Sequence, residues 1–244
     1  MKLSNEYLNN FILILFLSFF STSTLAHTTN ESTLFPDIKG SSARFDVILL
    51  VGIGIVPETN KFNPDTNLTR SDLAVWGALA HGLVVPVPGE AVDIQGIAST
   101  AMNKGIIDNL NGNASYKDIN QVLFDGGLQI DSSETMLTRA QAAEFIVANL
   151  EANIKGESLL SRREMHLGPT GKVIDVQSKM NPDGGSTMYL TLGEESYAVY
   201  SHGKLANGPV DLKQWKGKMV RRSIVRNLGQ FQLWVFLEAG DVEN

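Results

Sequence analysis

The sequence predicts an α+β protein of two domains, in which an all-α N-terminal bundle precedes a small C-terminal β-barrel. A capped helical pattern occurs twice, at 69–81 and 138–150, and from Gly171 onward the apolar period changes to two-residue alternation. The charge is also divided unevenly. Residues 27–150 carry 7 Lys+Arg against 14 Asp+Glu, a net of −7, whereas residues 151–244 carry 12 against 11, a net of +1.

Residues 1–26 have the pattern of a secretory signal peptide. Lys2 precedes an apolar run from Phe11 to Phe20, and small residues follow up to a cleavage position after Ala26. The run is shorter than the about 20 apolar residues of a membrane span, so cleavage is favoured over an uncleaved anchor. We therefore expect a mature chain with no membrane span. The sequence has no cysteine, which excludes a lipoprotein anchor, disulfides and thiolate metal sites.

Two helical units follow the signal peptide. The polar stretch 27–34 is expected to be flexible, and the units cover 35–83 and 91–155. In each unit, a first helix ends at a glycine suited to the left-handed conformation, Gly54 or Gly105.

The second helix of each unit begins at a threonine N-cap, Thr69 or Thr138. Three residues later, Asp72 and Gln141 can bond back to the cap residue's own N–H, which completes a capping box worth roughly 1 kcal/mol. Trp76 lies on the apolar face of the first capped helix and is predicted to be part of the core.

The second unit is longer than the first. The two glycines are 51 residues apart but the two threonine caps are 69 apart, which places an 18-residue insertion in the second unit. This insertion is predicted to contain a short helix at 116–124, with Ser115 or Asn113 as its cap. Residues 156–168 are charged and are predicted to be a linker.

The C-terminal stretch 169–244 is predicted to form five strands, at 172–176, 187–192, 196–200, 219–225 and 230–237. So many short strands in so short a stretch favour a closed or partly open barrel, because closure removes exposed sheet edges. We expect an OB-like barrel, with an SH3-like barrel as the alternative.

Short motifs recur in the same order in the two helical units. The first unit contains Phe35-Pro36-Asp37-Ile38, Gly54-Ile55, Phe62-Asn63-Pro64-Asp65 and Leu68-Thr69-Arg70-Ser71-Asp72. The second contains Val92-Asp93-Ile94, Lys104-Gly105-Ile106-Ile107 and Leu137-Thr138-Arg139-Ala140-Gln141. In this order they closely resemble the S-layer homology (SLH) module.

The resemblance implies that grooves between modules hold cell-wall polysaccharide or peptidoglycan-linked glycan. The arginine of the family's Thr-Arg-Ala-Glu type motif corresponds to Arg70 and Arg139. Asp72 stands where the family has its acid, and Gln141 preserves the cap but not the charge. The family usually combines three modules and two are recognised here, so the assembly needs a homo-oligomer or a contribution from the inserted segment.

The two arginines also have a purely structural interpretation. A guanidinium in the first turn of a capped helix lies beside free backbone N–H groups, and together they suit an anionic sugar substituent. Alternatively, Arg70 and Arg139 pair with carboxylates such as Asp37 or Asp93 between the units.

A second candidate surface surrounds Trp215 in the barrel. Lys216 and Lys218 follow it closely, and aromatic stacking with cation contacts is a way in which OB-folds hold single strands or glycans. The alternative is a charged loop that protects a strand edge against aggregation.

No catalytic signature is present. The four histidines lack metal-ligand spacing, and neither a nucleophile elbow nor a phosphate-binding glycine loop occurs. We therefore expect a protein that is not an enzyme and that has no cofactor and no metal. The acidic first domain argues against nucleic acid as a partner.

These observations favour an exported cell-envelope protein, at the wall surface or in the periplasm. Its SLH-like part would attach non-covalently to envelope glycan, and its barrel would be a second interaction module. The alternative is a periplasmic structural or oligomerisation protein whose barrel binds a protein or oligosaccharide partner. A third interpretation makes the barrel an oligosaccharide or nucleic-acid binder through Trp215.

Overall fold

The computed structural model describes residues 28–86, 90–131, 134–182 and 184–240, so the predicted signal peptide lies outside the described residues. The described residues form six α-helices and seven β-strands. The helices are α1 (Glu31–Leu34), α2 (Arg44–Gly52), α3 (Arg70–Ala80), α4 (Ile94–Asn103), α5 (Tyr116–Phe124) and α6 (Arg139–Ala148). The strands are β1 (Thr29–Asn30), β2 (Met165–Leu167), β3 (Gly171–Met180), β4 (Ser186–Leu192), β5 (Glu195–Ala206), β6 (Met219–Leu228) and β7 (Phe231–Gly240).

The predicted helix signals act as expected. Thr69 and Thr138 are the N-caps of α3 and α6, and both capping boxes are complete. The helix expected inside the insertion is α5, and Ser115 is its cap. Gly54 and Gly105 both have a φ of +73°, in the left-handed region where a side chain is disfavoured.

The helices α3, α5 and α6 begin at a common centre. The extended segments before α3, α5 and α6 exchange backbone hydrogen bonds in a cycle, with Arg70 N–H to Gly112 O, Tyr116 N–H to Thr135 O, and Arg139 N–H to Thr66 O. The side chains at the middle of these segments are buried, namely Leu68, Ala114 and Leu137. The insertion therefore contributes a capped helix of the same kind as the other two.

Five strands close into a barrel. The neighbours around it are β3, β4, β5, β7 and β6, and β6 pairs back onto β3. The β5–β7 pair is parallel and the other four are antiparallel. The expected strands are present, and closure leaves the barrel without a free edge. Apolar side chains fill the interior, among them Val173, Leu190, Trp215, Val225 and Trp234.

The N-terminal stretch is not the flexible segment that its polarity suggested. β1 pairs in parallel with β5, through Thr29 with Lys204 and Asn30 with Leu205. The Thr28 hydroxyl donates to Val210 O at 3.0 Å. Backbone pairing with the barrel thus compensates for the low hydrophobicity of this stretch.

The stretch 156–168 is also more than a charged linker. A 3₁₀ turn at Ser161–Arg163 leads into β2, which pairs with β6. Arg163 donates to Leu79 O at the end of α3, and Arg162 donates to Leu123 O at the end of α5, at 3.1 Å. These arginines bind carbonyls in the last turns of two helices, where positive charge is favourable.

One apolar core joins the helices to the barrel. It contains most buried side chains of the helices together with four from the barrel, Ala206, Ile224, Val235 and Phe236. α2 lies against β5 and β7. A Cβ at Gly52 would lie 3.1 Å from Val235 O, so a glycine allows this close approach.

Candidate functional site

Arg139 lies in the first turn of α6 and reaches the first turn of α3. Its Nη1 is 2.8 Å from Asp72 Oδ2, and its Nε donates to Phe62 O at 2.5 Å. The guanidinium carbon also lies 4.9 Å from the ring centre of Phe62 and 5.3 Å from that of Trp76. The side chain is 13% exposed, so protein groups hold the arginine in one position.

Arg70 occupies the same place in α3 and reaches the first turn of α5. Its Nη1 is 2.5 Å from Asp118 Oδ1, its Nη2 pairs with Asp108, and its Nε donates to Asn109 O at 3.3 Å. The side chain is 17% exposed.

The two arginines follow one rule. Each pairs with the capping-box acid of the next helix in the cycle, Arg139 with Asp72 and Arg70 with Asp118. At the third junction the corresponding residues are Tyr116 and Gln141, so an arginine and an acid are replaced together. There the ring of Tyr116 packs edge-on against Phe145 at 4.9 Å.

The carboxylate partners expected from the sequence were wrong. Asp37 instead accepts hydrogen bonds from Phe62 N–H at 3.1 Å and Asn63 N–H at 2.7 Å. Asp93 caps α4 through Gly96 N–H at 3.0 Å. Both carboxylates are used by backbone groups, and the actual partners are Asp72 and Asp118 in other helices and Asp108 in the loop after α4.

A groove lies beside each arginine. The Arg139 groove has a volume of about 380 Å³, and its lining includes Lys61, Asn67, Asp72 and Trp76. Trp76 is 1% exposed and stacks on Phe62 at 6.1 Å, which confirms it as a core residue. The ring forms the floor of the groove, and polar groups form its rim.

The Arg70 groove has a volume of about 500 Å³. Its lining includes Asp108, Asp118, Lys117 and Glu134, and the last two form an exposed ion pair at 2.9 Å. Two cations and three carboxylates therefore line this groove. The Arg139 groove has two cations, Arg139 and Lys61, and one carboxylate, so it is the more favourable of the two for an anionic ligand.

The expected stacking surface around Trp215 was wrong. The ring is 0% exposed, and its Nε1 donates to Pro209 O at 2.9 Å. Lys216 is exposed and pairs with Asp175 at 3.2 Å, and Lys218 is half-buried. Trp215 packs inward because the short barrel needs a large apolar side chain to fill it.

Two features of the grooves were not recognised in the sequence. The first is that Ser115 and Asp118 repeat the hydroxyl-x-x-acid pattern of Thr69 and Asp72, which marks α5 as a member of the repeat. The second is Asp108, which follows the Gly-Ile-Ile motif and carries no local signal of its own.

The described residues include no group of three or more His, Asp or Glu side chains placed to hold a metal ion. In the same part of the chain, no helix has the length and apolar character needed to cross a bilayer.

No protein-family model, curated protein or solved structure matches this chain. The resemblance to the SLH module therefore depends on the sequence motifs.

Proposed function

We propose that this is an exported, non-enzymatic protein of the cell envelope, whose helices bind cell-wall polysaccharide or peptidoglycan through the Arg139 and Arg70 grooves. The observation that supports this most strongly is the repeated geometry of the two junctions. In both, an arginine at the start of one helix is held by the capping-box acid of the next and lines a groove of 380–500 Å³. Clefts of this size with a few fixed polar groups are typical of ligand sites.

The finer description of the fold is part of the same proposal. We infer two domains, a helical SLH-like domain and an OB-like barrel. The support is that α2 to α6 all precede the barrel strands, and that the barrel has the neighbour order β3, β4, β5, β7, β6 with one parallel pair. The start of α5 takes the third place in the cycle of backbone hydrogen bonds with α3 and α6. In this proposal one chain therefore forms the threefold arrangement without a homo-oligomer.

A second candidate function is favoured by the pairing of the arginines. Because both guanidiniums are neutralised within the chain, the junctions also suit a purely structural role. In that case the helices would be a periplasmic structural or oligomerisation domain, and the barrel would bind the partner.

Co-sedimentation with purified sacculi tests the proposal. Wild-type protein should sediment with sacculi, and sacculi with and without their attached wall polymer identify which component is bound. Lys61→Glu should weaken binding because Lys61 is an exposed cation of the Arg139 groove. Lys39→Glu is the matched control, since Lys39 is also exposed but lines neither groove. The absence of wild-type binding to either preparation would reject the anchor function in favour of the structural one.

A further inference from the structure

A third cleft lies on the barrel, away from the two arginine grooves. It is open, has a volume of about 690 Å³, and lies between the β6–β7 hairpin and the neighbouring part of β4 and β5. Neither groove shares a lining residue with it. Its size is within the range of small-molecule and oligosaccharide sites.

Three aromatic rings line this cleft. Phe231 is 74% exposed at the hairpin, which is unusual for a phenylalanine. Tyr189 and Tyr197 are half-buried. Tyr197 is fixed in place, because its hydroxyl donates to Glu195 and its ring packs against Trp234 at 5.1 Å. Tyr197 pairs with the buried Leu190 and so lies toward the barrel interior, whereas Tyr189 pairs with Ala198 and lies on the outer face of the sheet with Phe231.

The polar groups between the rings are mostly uncharged. They include the Gln232 amide and the Thr187 hydroxyl, and Glu195 is the one charged residue in the described lining. Just outside, the Lys179 ammonium lies 4.4 Å from the ring centre of Tyr189. A groove that tracks a phosphate backbone needs a surplus of cations, so this cleft does not suit a nucleic acid.

The backbone around the cleft also limits the class of ligand. β4 is paired on both sides, and β5 and β7 pair with each other only from Ala198 and Leu233 onward, so the free strand edge in the cleft is limited to 195–197 and 231–232. An extended peptide that binds by strand addition needs a longer edge than this. Aromatic faces with amide and hydroxyl groups instead match sugar rings, which have apolar C–H faces and peripheral hydroxyls.

We propose that this cleft binds an uncharged oligosaccharide, with Tyr189 and Phe231 against the faces of the sugar rings. Gln232, Thr187 and Glu195 would hydrogen-bond the sugar hydroxyls. The site is separate from the proposed wall-binding grooves and does not depend on them. A chain with both kinds of site would connect two glycans.

Calorimetric titration of the mature chain (27–244) tests this inference. The sugar probes are chitohexaose, cellohexaose and maltohexaose. A twelve-residue oligothymidylate and an uncharged decapeptide are titrated separately, as representatives of the two other ligand classes. At least one hexasaccharide should bind, and Phe231→Ala should weaken its binding by roughly tenfold through the loss of a stacking ring. Ile174→Ala is the matched control, because Ile174 is an exposed apolar residue of the barrel outside the cleft. The affinity of this variant for the hexasaccharide should stay within about twofold of wild type.

Three results would overturn the inference. They are the absence of binding to all three sugars, unchanged sugar affinity in Phe231→Ala, and tighter binding of the oligonucleotide or the peptide than of any sugar. Lys61→Glu separates this site from the proposed anchor, because it should alter sedimentation with sacculi and leave hexasaccharide affinity unchanged.

Discussion

Asp72 serves two helices through one oxygen atom. Its Oδ2 accepts from the Thr69 hydroxyl at 2.7 Å and from Thr69 N–H at 3.4 Å, and it also lies 2.8 Å from Arg139 Nη1. Gln141 is the corresponding residue of α6 and completes the capping box of its own helix. Asp72 should therefore contribute more to the stability of the fold than Gln141 does.

Asp72→Ala should destabilise the fold more than Gln141→Ala. The glutamine variant loses a cap, which costs about 1 kcal/mol. The aspartate variant also leaves a mostly buried guanidinium without its carboxylate, which raises the loss to about 3 kcal/mol. Urea unfolding followed by circular dichroism measures both values, and equal losses would show that the Arg139 contact contributes nothing.

The barrel tryptophan and the hairpin phenylalanine should respond in opposite ways to truncation. Trp215→Ala should cost about 3–5 kcal/mol because it empties the barrel interior. Phe231→Ala should change stability by less than about 0.5 kcal/mol because its ring is exposed. Thermal unfolding of the two variants distinguishes them, and a stable Trp215→Ala protein would contradict the interior position of that ring.

At the scale of elements, local signals were predictable and non-local pairings were not. The caps Thr69 and Thr138 and the stop at Gly54 depend on a few neighbouring residues, so the sequence located α2, α3 and α6. The cap of α5 was predicted as Ser115 or Asn113 and is Ser115, but the ring of helix starts that α5 completes depends on hydrogen bonds between distant segments. For the same physical reason the carboxylate partners of Arg70 and Arg139 were not predicted.

Stability should depend on pH through the contact of α2 with the barrel. Arg222 bonds Asp46 of α2 at 2.7 Å and Glu238 of β7 at 2.7 Å. Burial raises the pKa of Asp46, with help from the nearby Glu238 and Glu144 carboxylates, and this outweighs the lowering by Arg222. The folded protein therefore holds this proton more tightly than the unfolded chain, and the contribution of Asp46 is lost as pH rises through its folded pKa.

Asp46→Asn isolates that contribution. As pH rises from about 3 to 6, the stability of wild type relative to the variant should fall, because the variant has no carboxyl to ionise. Urea unfolding at a series of pH values measures this difference. A difference that grows with pH would mean that the Arg222 pair dominates over burial.

At the scale of the whole molecule, the helices and the barrel are joined at several independent places. They share an apolar core, β1 extends the β5 side of the barrel, and the buried Lys204 of β5 pairs with Glu58 at 2.7 Å. The expected flexible N-terminus and linker stretch both belong to this junction. Neither was recognisable from composition, because their order comes from pairing with strands far away in the sequence.

The helices and the barrel should therefore unfold in one transition. The Trp76→Phe variant keeps two tryptophans, Trp215 and Trp234, and both lie in the barrel. Its fluorescence therefore follows the barrel, while ellipticity at 222 nm follows mainly the helices. The two thermal midpoints should coincide, as in two-state unfolding. Midpoints separated by several degrees would show two independently stable domains.

The most direct test of the central proposal is to map where an envelope glycan contacts the protein. Soluble fragments released from sacculi by muramidase, with and without attached wall polymer, would be titrated into isotope-labelled protein (27–244) and followed by amide chemical shifts. We predict that the largest changes occur at 61–72, at 108–118 and around Arg139, which together line the two grooves. Saturating fragments that leave all of these amides unchanged would contradict the anchor function.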